Sequence, residues 1–408
     1  MTLQQKIRAD IDPMCLAKDI CAGMSCLLGT QEHGTLLPLH EPEFDSRVEQ
    51  EVVKCIRSTF VSSVGSCVDE FERELAAACG VDHAIAMVNG TAALQVALRV
   101  AGVKPGEEVL LPSLTFVATP NAISHLGAVP HFVDVEEQSL GIDPVALGRH
   151  LDNIARYDSG TLRNQQTGRK IAAIVPVHVF GHPTEMSGLT KLATSYGIPV
   201  VEDAAEALGS IYGDKPCGSL GLVSAVSFNG NKIITTGGGG AVLTDDGDLA
   251  AQARHLSTTA KLPHSWEFSH DQIAYNYRMP NINAALGLPQ LRQLSHRVAK
   301  KRKLASHYIA EFSKQPHLKV LQEPANAFSN YWLNALILDS TVAHARDAIL
   351  DSLNNCGFAA RPIWNPMHTL EIYSGHPRDT LSVTEDLASR IINLPSSAGL
   401  ADSLRCLS

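Results

Sequence analysis

One lysine, Lys232, lies in a segment whose composition predicts an active-site loop. The apolar run 223–228 before it predicts a buried strand that would carry the amine into the interior. The four glycines Gly237 to Gly240 follow it, and such a run is expected where the main chain needs unusual dihedral angles or approaches another group closely. A buried lysine loses proton affinity and becomes a nucleophile. We therefore predict that Lys232 is catalytic.

A carboxylate, Asp203, follows a second apolar run at 198–201. Open α/β sheets bind ligands at the carboxyl ends of their strands, so this side chain is expected at a ligand site. In an enzyme that uses pyridoxal 5'-phosphate (PLP), such a carboxylate pairs with the pyridine nitrogen and keeps it protonated. Capping of the following helix is the alternative role for Asp203.

The turn Asn89-Gly90-Thr91 lies between a predicted strand and a predicted helix. Free backbone N–H groups and the positive end of the helix dipole make such a turn an anion site that could hold a phosphate. The alternative is a simple helix cap by Asn89 or Thr91. No Gly-x-Gly-x-x-Gly fingerprint follows the strand, which disfavours a nicotinamide-dependent enzyme.

Three other residues carry weaker signals. Phe116, expected to open a helix after Thr115, could stack on a planar cofactor, although a buried aromatic residue usually belongs to the core. His178 and His182 have a spacing that suits metal ligands on a helix, but the nearby Gly and Pro disfavour that helix. We therefore predict no metal site.

Composition and size predict a soluble, two-domain, cytoplasmic protein. The chain has 408 residues, which exceeds the roughly 250–300 that one hydrophobic core usually organises. Its net charge of -9 argues against a general nucleic-acid binder, and no apolar run is long enough to span a membrane. Nine scattered cysteines suit a reducing compartment. The one dense basic run, 297–303, is expected to be a solvated helix face.

Short apolar runs alternate with helical patterns from about residue 83 to 245, which is typical of an α/β fold. We predict an N-terminal arm at 1–35, a large domain at 36–288 and a smaller C-terminal α/β domain at 289–408. The order of the strands cannot be derived. The predicted strands are Ala84–Val88, Glu108–Leu111, Pro130–Val135, Ile171–Val177, Pro199–Glu202, Val223–Phe228 and Ala241–Thr244.

Taken together, these motifs resemble the fold-type I, PLP-dependent nucleotide-sugar aminotransferases over about residues 36–398. Such proteins are aspartate aminotransferase-like, with a mostly parallel mixed sheet in the large domain. The likeness is strongest to the UDP-sugar 4-aminotransferases of legionaminic acid and bacillosamine biosynthesis, in which Asn-Gly-Asn precedes the lysine. The family likeness rests on Asn89–Leu94, Thr115–Thr119, Pro176–His178, Glu202–Glu206, Ser227–Gly240 and Tyr275–Met279. The closer likeness to the UDP-sugar group rests on Phe60–Gly65, Gly181–Pro183, Phe228–Lys232 and Asn393–Ser397.

The resemblance implies PLP as cofactor and a role for each matched residue. Lys232 would bind the cofactor covalently, Asp203 would hold the pyridine nitrogen and Phe116 would stack on the ring. The cofactor phosphate would be bound by Gly90, Thr91 and Ser227.

The resemblance also implies a homodimer with shared active sites. Asn276 matches the residue that reaches the phosphate from the neighbouring subunit. Glu206 would lie beside the cofactor. Together with Glu206, the residues His178, Arg361 and His368 match positions near the sugar-nucleotide pocket, although a structural role is an equal alternative for each.

The activity that the resemblance implies is a ping-pong transfer of the amino group of L-glutamate to C4 of a UDP-linked 4-keto-6-deoxy-N-acetylhexosamine. A GDP- or dTDP-linked 4-ketosugar is the alternative, since the cofactor motifs do not identify the nucleotide. A related sugar 3-dehydratase would have histidine in place of Lys232. The alternative outside enzymology is a regulatory protein that retains the fold without catalysis.

Overall fold

Apolar strands and amphipathic helices alternate along the chain, as the sequence predicts. The computed structural model describes residues 12–32 and 34–404. In this part of the chain the helices are α1 (Pro13–Leu28), α2 (Ser46–Ser58), α3 (Ser66–Cys79), α4 (Gly90–Val100), α5 (Ala118–His125), α6 (Pro144–Ile154), α7 (Met186–Ser195), α8 (Gly247–Ser257), α9 (Asn281–Leu291), α10 (Leu294–Phe312), α11 (Arg346–Asn355) and α12 (Ser382–Arg390).

The strands follow the predicted runs closely, and each strand predicted between residues 83 and 245 is present. The strands are β1 (His83–Met87), β2 (Glu108–Pro112), β3 (Val129–Val133), β4 (Ala155–Asp158), β5 (Thr161–Asn164), β6 (Ile171–Ile174), β7 (Val201–Asp203), β8 (Ile211–Tyr212), β9 (Lys215–Pro216), β10 (Val223–Ser227), β11 (Gly240–Thr244), β12 (Leu318–Val320), β13 (Ala327–Phe328), β14 (Asn334–Leu338), β15 (Arg361–Pro362) and β16 (Ile391–Leu394).

A large mixed sheet organises the N-terminal two thirds of the chain. Parallel bridges from Ile174 to Val200 and from Val177 to Asp203 join its two parts, giving the order β3-β2-β6-β7-β10-β11-β1. Strand β11 runs antiparallel to both of its neighbours, whereas the pairs from β3 to β10 are parallel. The sheet is therefore mostly parallel, and the predicted fold-type I architecture is confirmed. All of its parallel strands end at the edge where Asp203 and Ser227 lie.

Helices cover both faces of this sheet, because successive strand residues point to opposite sides. In β10, Val223 and Ala225 pack into the core cluster under α4, α5 and α8, while Val226 packs into the cluster under α3 and α9. Burial on both faces explains why every residue of this strand is small or apolar and none is charged.

The C-terminal part of the chain forms a second, antiparallel sheet in the order β12-β14-β16-β15. Helix α1 packs into its core: Ile20, Met24 and Leu27 share one apolar cluster with Leu336 and Leu338. Residues 13–28 of the predicted arm thus form a helix with one buried face, and residues 1–11 lie outside the described residues. The arm belongs with the C-terminal sheet because its apolar stripe finds its partner there.

The basic run 297–303 is only partly a solvated helix face: Lys303 is exposed, whereas Arg297 and Lys301 are buried. Lys301 on α10 is fully buried and its ammonium donates to the carbonyl of Ser396, and Arg297 is also buried. Burial lowers the pKa of Lys301 to about 7. The prediction was wrong for these two residues because charge was taken as a sign of exposure, whereas 297, 301, 304 and 308 form one buried stripe at helical spacing.

The predicted domain boundary at 288/289 falls inside α9. We propose that the two parts of the chain divide instead at the turn Arg292–Gln293, which separates α9 from α10. Helix α9 packs on α2 and α3, and α10 packs on α1 and β12, so this division leaves each helix with its own neighbours.

Candidate active site

A loop of residues 228–239, which we call the lysine loop, connects β10 to β11. Ser227 and Gly240 pair at its base, so both ends of the loop are fixed by the sheet. Gly237 has a φ of 79°, and a Cβ on Gly240 would lie 2.6 Å from the carbonyl carbon of Asn89. The glycine run therefore serves both predicted purposes, a left-handed dihedral angle and a close backbone approach.

The amine of Lys232 lies between an acid and an aromatic ring. Its Nζ is 3.2 Å from Oε1 of Glu206 and 3.7 Å from the centroid of the Trp332 ring. The lysine side chain is 12% exposed, so its amine is largely shielded from water.

Asp203 lies at the carboxyl end of β7 and is buried. Its Oδ2 accepts from Oγ1 of Thr119 at 2.9 Å, and its Oδ1 accepts from the backbone N–H of Ala205 at 3.1 Å. Burial raises the pKa of Asp203, and the hydrogen bonds and the Lys232 amine oppose that rise. The carboxylate is held in place, and a cation in the cavity would stabilise its charge further.

Glu206 is buried beside the lysine. Its Oε2 accepts from the backbone N–H of Phe180 at 2.8 Å, which directs Oε1 to Lys232. Burial raises the pKa of Glu206, and Lys232 opposes the rise. Phe180 has a φ of 56°, an unfavourable backbone conformation for a large side chain, and such strain concentrates at functional sites.

The N-terminus of α4 forms the opposite wall. Asn89 caps the helix by accepting from the N–H of Ala92 at 2.8 Å, while in the described structure the N–H groups of Gly90 and Thr91 have no protein acceptor. A Cβ on Gly90 would lie 2.7 Å from Cβ of Ser227, so only glycine leaves this space open. Free N–H groups at the positive end of a helix suit a phosphate.

These groups surround one cavity of about 320 Å³. Seven of the predicted residues line it: Gly90, Thr91, Phe116, Asp203, Glu206, Ser227 and Lys232. Phe116 is 51% exposed and precedes α5 by two residues rather than opening it. The same cavity is lined by five residues that the sequence analysis did not name as site residues: Thr119, Asn229, Asn231, Trp332 and Trp364. For the two tryptophans, the available signal was the rarity of this residue type, with three in the chain.

Four predicted residues lie outside the cavity lining. Asn276 forms a bridge with Thr258, and Arg361 is exposed on β15. His368 is buried, with Nδ1 at 2.8 Å from Oγ of Ser113 and Nε2 at 3.2 Å from Glu385. Within one chain, none of these three residues reaches the cavity, so their predicted roles in binding remain predictions.

His178, the fourth of these residues, is buried behind Asp203. Its backbone N–H donates to the carbonyl of Asp203 at 3.3 Å, and its Nδ1 accepts from the N–H of Thr184 at 3.0 Å. Burial lowers its pKa, but Cys217 and Glu202 outweigh burial and raise it. Its Nε2 faces Oε2 of Glu202 at 3.6 Å.

The cavity fits PLP. A buried carboxylate with a raised pKa, Asp203, faces it and suits a protonated pyridine nitrogen. The space left by Gly90 and the free N–H groups of α4 suit a phosphate, and Lys232 supplies an amine between them. Phe116 offers a ring face at the same cavity. Fold and site together define a fold-type I, PLP-dependent transferase.

The chain belongs to the DegT/DnrJ/EryC1/StrS aminotransferase family, whose model matches residues 42–404. It is therefore a member of a family of PLP-dependent sugar aminotransferases. In the part of the chain that the structure describes, no helix has the length and apolar character needed to cross a membrane.

Several curated proteins are similar over most of the chain. EpsN of Bacillus subtilis (strain 168), assigned as a PLP-dependent aminotransferase, is 37% identical over 369 residues, covering 89% of this chain and 92% of EpsN. The GDP-perosamine synthase of Escherichia coli O157:H7 is 35% identical, covering 90% of this chain and 94% of the synthase. That of Caulobacter vibrioides is 34% identical, covering 89% and 93%.

A solved structure confirms the fold. Helicobacter pylori PseC, an aminotransferase involved in the biosynthesis of pseudoaminic acid, superposes with a TM-score of 0.81. The two sequences are 26% identical, and the match covers 90% of this chain and 98% of PseC.

Proposed function

We propose that this chain transfers the amino group of L-glutamate to C4 of a nucleotide-linked 4-keto-6-deoxyhexose. The observation that carries the proposal is the convergence of an amine, a buried carboxylate and a free helix N-terminus on one cavity in a member of a sugar aminotransferase family. Removing the amine tests it: Lys232→Ala should lower turnover by at least about 10²–10⁴-fold, the usual contribution of a positioned acid–base group. An active variant would refute the role of Lys232.

Each residue of the cavity has a physical task in this reaction. When bound, PLP supplies an electron-withdrawing ring that stabilises negative charge on the substrate carbon. Asp203 holds the pyridine N–H, and the N–H groups of Gly90 and Thr91 hold the phosphate. The freed Nζ of Lys232 moves the proton at the carbon that carries the transferred amino group. Glu206 orients that amine from 3.2 Å.

The relatives favour a GDP-linked sugar. Three GDP-perosamine synthases are 34–35% identical to this chain and cover about nine tenths of it. We therefore propose a GDP-4-keto-6-deoxyhexose as the first substrate to test. The corresponding dTDP-linked sugar is the alternative substrate of the same type.

The lysine loop supports a second candidate, a UDP-linked 4-keto-6-deoxy-N-acetylhexosamine for legionaminic acid, bacillosamine or related glycans. Asn229-Gly230-Asn231 before the lysine resembles the UDP-sugar group. Asn229 and Asn231 both line the cavity, and their side chains are hydrogen-bonded to each other at 3.1 Å.

One assay separates these substrates. The purified protein, PLP and L-glutamate are offered GDP-, UDP- and dTDP-linked 4-keto-6-deoxysugars, and products are identified by mass and NMR. Amination of only the GDP sugar supports the perosamine-type reaction, and amination of only the UDP-N-acetyl sugar supports the second candidate. No amination of any sugar by PLP-loaded protein would refute the proposed function and favour a noncatalytic role.

We also propose a homodimer with shared active sites. Asn276 lies outside the cavity of its own chain, and the nearby loop exposes Trp266 (80%), Phe268 (78%) and Ile273 (88%). Exposed apolar side chains of this size mark an interaction surface. The resemblance assigns Asn276 to the neighbouring subunit's phosphate site.

Mixing two variants tests the shared site. If Asn276 serves the other subunit, a heterodimer of Lys232→Ala and Asn276→Ala chains contains one intact site. Random exchange of subunits should then restore about one quarter of wild-type activity from two weakly active proteins. Activity that stays at the mean of the two variants would contradict the proposal.

A further inference from the structure

The amine of Lys232 lies against the face of an aromatic ring from the segment that precedes β14. Its Nζ is 3.7 Å from the centroid of Trp332, a side chain that is only 4% exposed. A cation over an indole face is attracted most strongly where water is excluded. Lys232 is the one amine that lines the described cavity, so this contact involves the group expected to react.

Trp332 also holds the backbone of the lysine loop. Its indole N–H donates to the carbonyl of Asn231, the residue before Lys232, at 2.7 Å. The ring thus contacts the lysine at its tip through the indole face and at its base through the indole N–H. A buried aromatic residue that only fills the core needs neither contact.

The position of Trp332 is fixed by Asn330. Oδ1 of Asn330 accepts from the backbone N–H of Trp332 at 2.7 Å. Its Nδ2 donates to the backbone carbonyls of Glu206 and Leu208 at 2.9 Å each. Asn330 is fully buried. One side chain therefore joins the backbones of the two residues that flank the Lys232 amine, Glu206 and Trp332.

We propose that Trp332 is a positioning residue for Lys232: its ring face and the Glu206 carboxylate form the resting place of the free amine, and its N–H holds the lysine loop. The inference rests on the proposed function, in which the amine is free during part of each turnover. A defined resting place keeps the amine near the substrate carbon and prevents it from swinging into solvent.

The contact is tested first in cofactor-free protein, independently of catalysis. Trp266→Phe/Trp364→Phe leaves Trp332 as the one tryptophan, and Trp266→Phe/Trp332→Phe leaves Trp364, which lines the same cavity. Lys232→Met is then added to each protein. We expect the loss of the amine to change the emission of the Trp332-only protein clearly and that of the Trp364-only control much less. No change, or an equal change in both, would overturn the contact.

The functional consequence is tested by Trp332→Leu and Trp332→Phe. Trp332→Leu removes the ring face and the N–H, and should lower kcat about tenfold, equivalent to about 1.4 kcal/mol, with a much smaller change in KM for L-glutamate. Trp332→Phe keeps a ring face and should lose less. An unchanged kcat in both variants, or a change in KM alone, would overturn the positioning role.

The two proposals fail in different ways. If no nucleotide sugar is aminated but Lys232→Met still alters Trp332 emission, the contact stands and the proposed function is wrong. If amination proceeds and neither Trp332 variant changes kcat, the proposed function stands and the positioning role is wrong.

Discussion

At the scale of single residues, Asp203 carries a buried charge that the protein alone stabilises incompletely. Burial raises its pKa above the value of an unfolded chain, so the ionised form costs stability as pH rises through the folded-state value. The bound cofactor's pyridine N–H would offset that cost. The position of Asp203 would thus suit a bound cofactor but lowers the stability of the cofactor-free protein.

Replacing Asp203 with Asn should therefore separate stability from activity. We expect Asp203→Asn to raise the unfolding temperature of cofactor-free protein at neutral pH and to lower transamination by on the order of 10²–10³-fold, as loss of one preorganised electrostatic partner does. Thermal unfolding and turnover of the same preparation provide the measurement. A variant that is less stable than wild type would contradict the assigned cost of the charge.

A second buried residue, His182, makes stability depend on pH. In the described structure neither ring nitrogen has a hydrogen-bond partner. Burial lowers its pKa from 6.5 to about 4; the charge of Arg302 lowers it slightly further, and that of Glu323 opposes the change. Between pH 6.5 and pH 4 the unfolded chain therefore binds more protons than the folded protein. The free energy of unfolding decreases as pH falls through this range.

His182→Leu should remove this loss. Between pH 7.5 and pH 5, wild type is expected to lose about 2 kcal/mol more of its free energy of unfolding than the variant does. Urea unfolding at both pH values measures the difference. Equal pH dependence in the two proteins would mean that His182 is protonated in the folded state.

At the scale of elements, the lysine loop and the N-terminus of α4 are packed so closely that only glycine fits between them. A Cβ at Gly90 would lie 2.7 Å from Cβ of Ser227, on the strand that leads into the loop. The turn proposed to bind phosphate therefore packs directly against the strand that leads into the lysine loop.

Gly90→Ala should weaken PLP binding to the cofactor-free protein by roughly tenfold to a hundredfold, since overpacking costs about 1–3 kcal/mol. Gly230→Ala is the matched control, because a Cβ at this loop glycine would meet nothing within 4 Å. Titration with PLP gives both affinities. Equal losses in the two variants would mean that the lack of space at Gly90 does not explain its effect on PLP binding.

At the scale of the whole molecule, the N-terminal helix α1 packs on the C-terminal sheet, although about 300 residues separate them in the sequence. Ile20 is fully buried in the cluster that contains Leu336, whereas Met14 on the same helix is 49% exposed. Ile20→Ala should destabilise the protein by about 2–5 kcal/mol and Met14→Ala by less than about 0.5 kcal/mol. Chemical unfolding measures both; similar small effects would mean that α1 is dispensable.

Local patterns predict much of this molecule and fail where contacts are distant. Strand β10, Lys232 and Asp203 are marked by adjacent apolar runs and turn residues, so the sequence predicts their positions. Trp332 contacts Lys232 across a hundred positions, and no local pattern carries that information. Lys301 was misjudged for the same reason, since its partner Ser396 is remote in the chain.

The pairing of Ser227 with Gly240 has a consequence for engineering. The sheet holds the two ends of the lysine loop side by side. Residues 228–239 can therefore be replaced by another loop while the sequences of β10 and β11 stay the same. Transplanting the corresponding segment of a perosamine synthase would thus ask whether the asparagines before the lysine choose the nucleotide, while the scaffold that binds the cofactor remains constant.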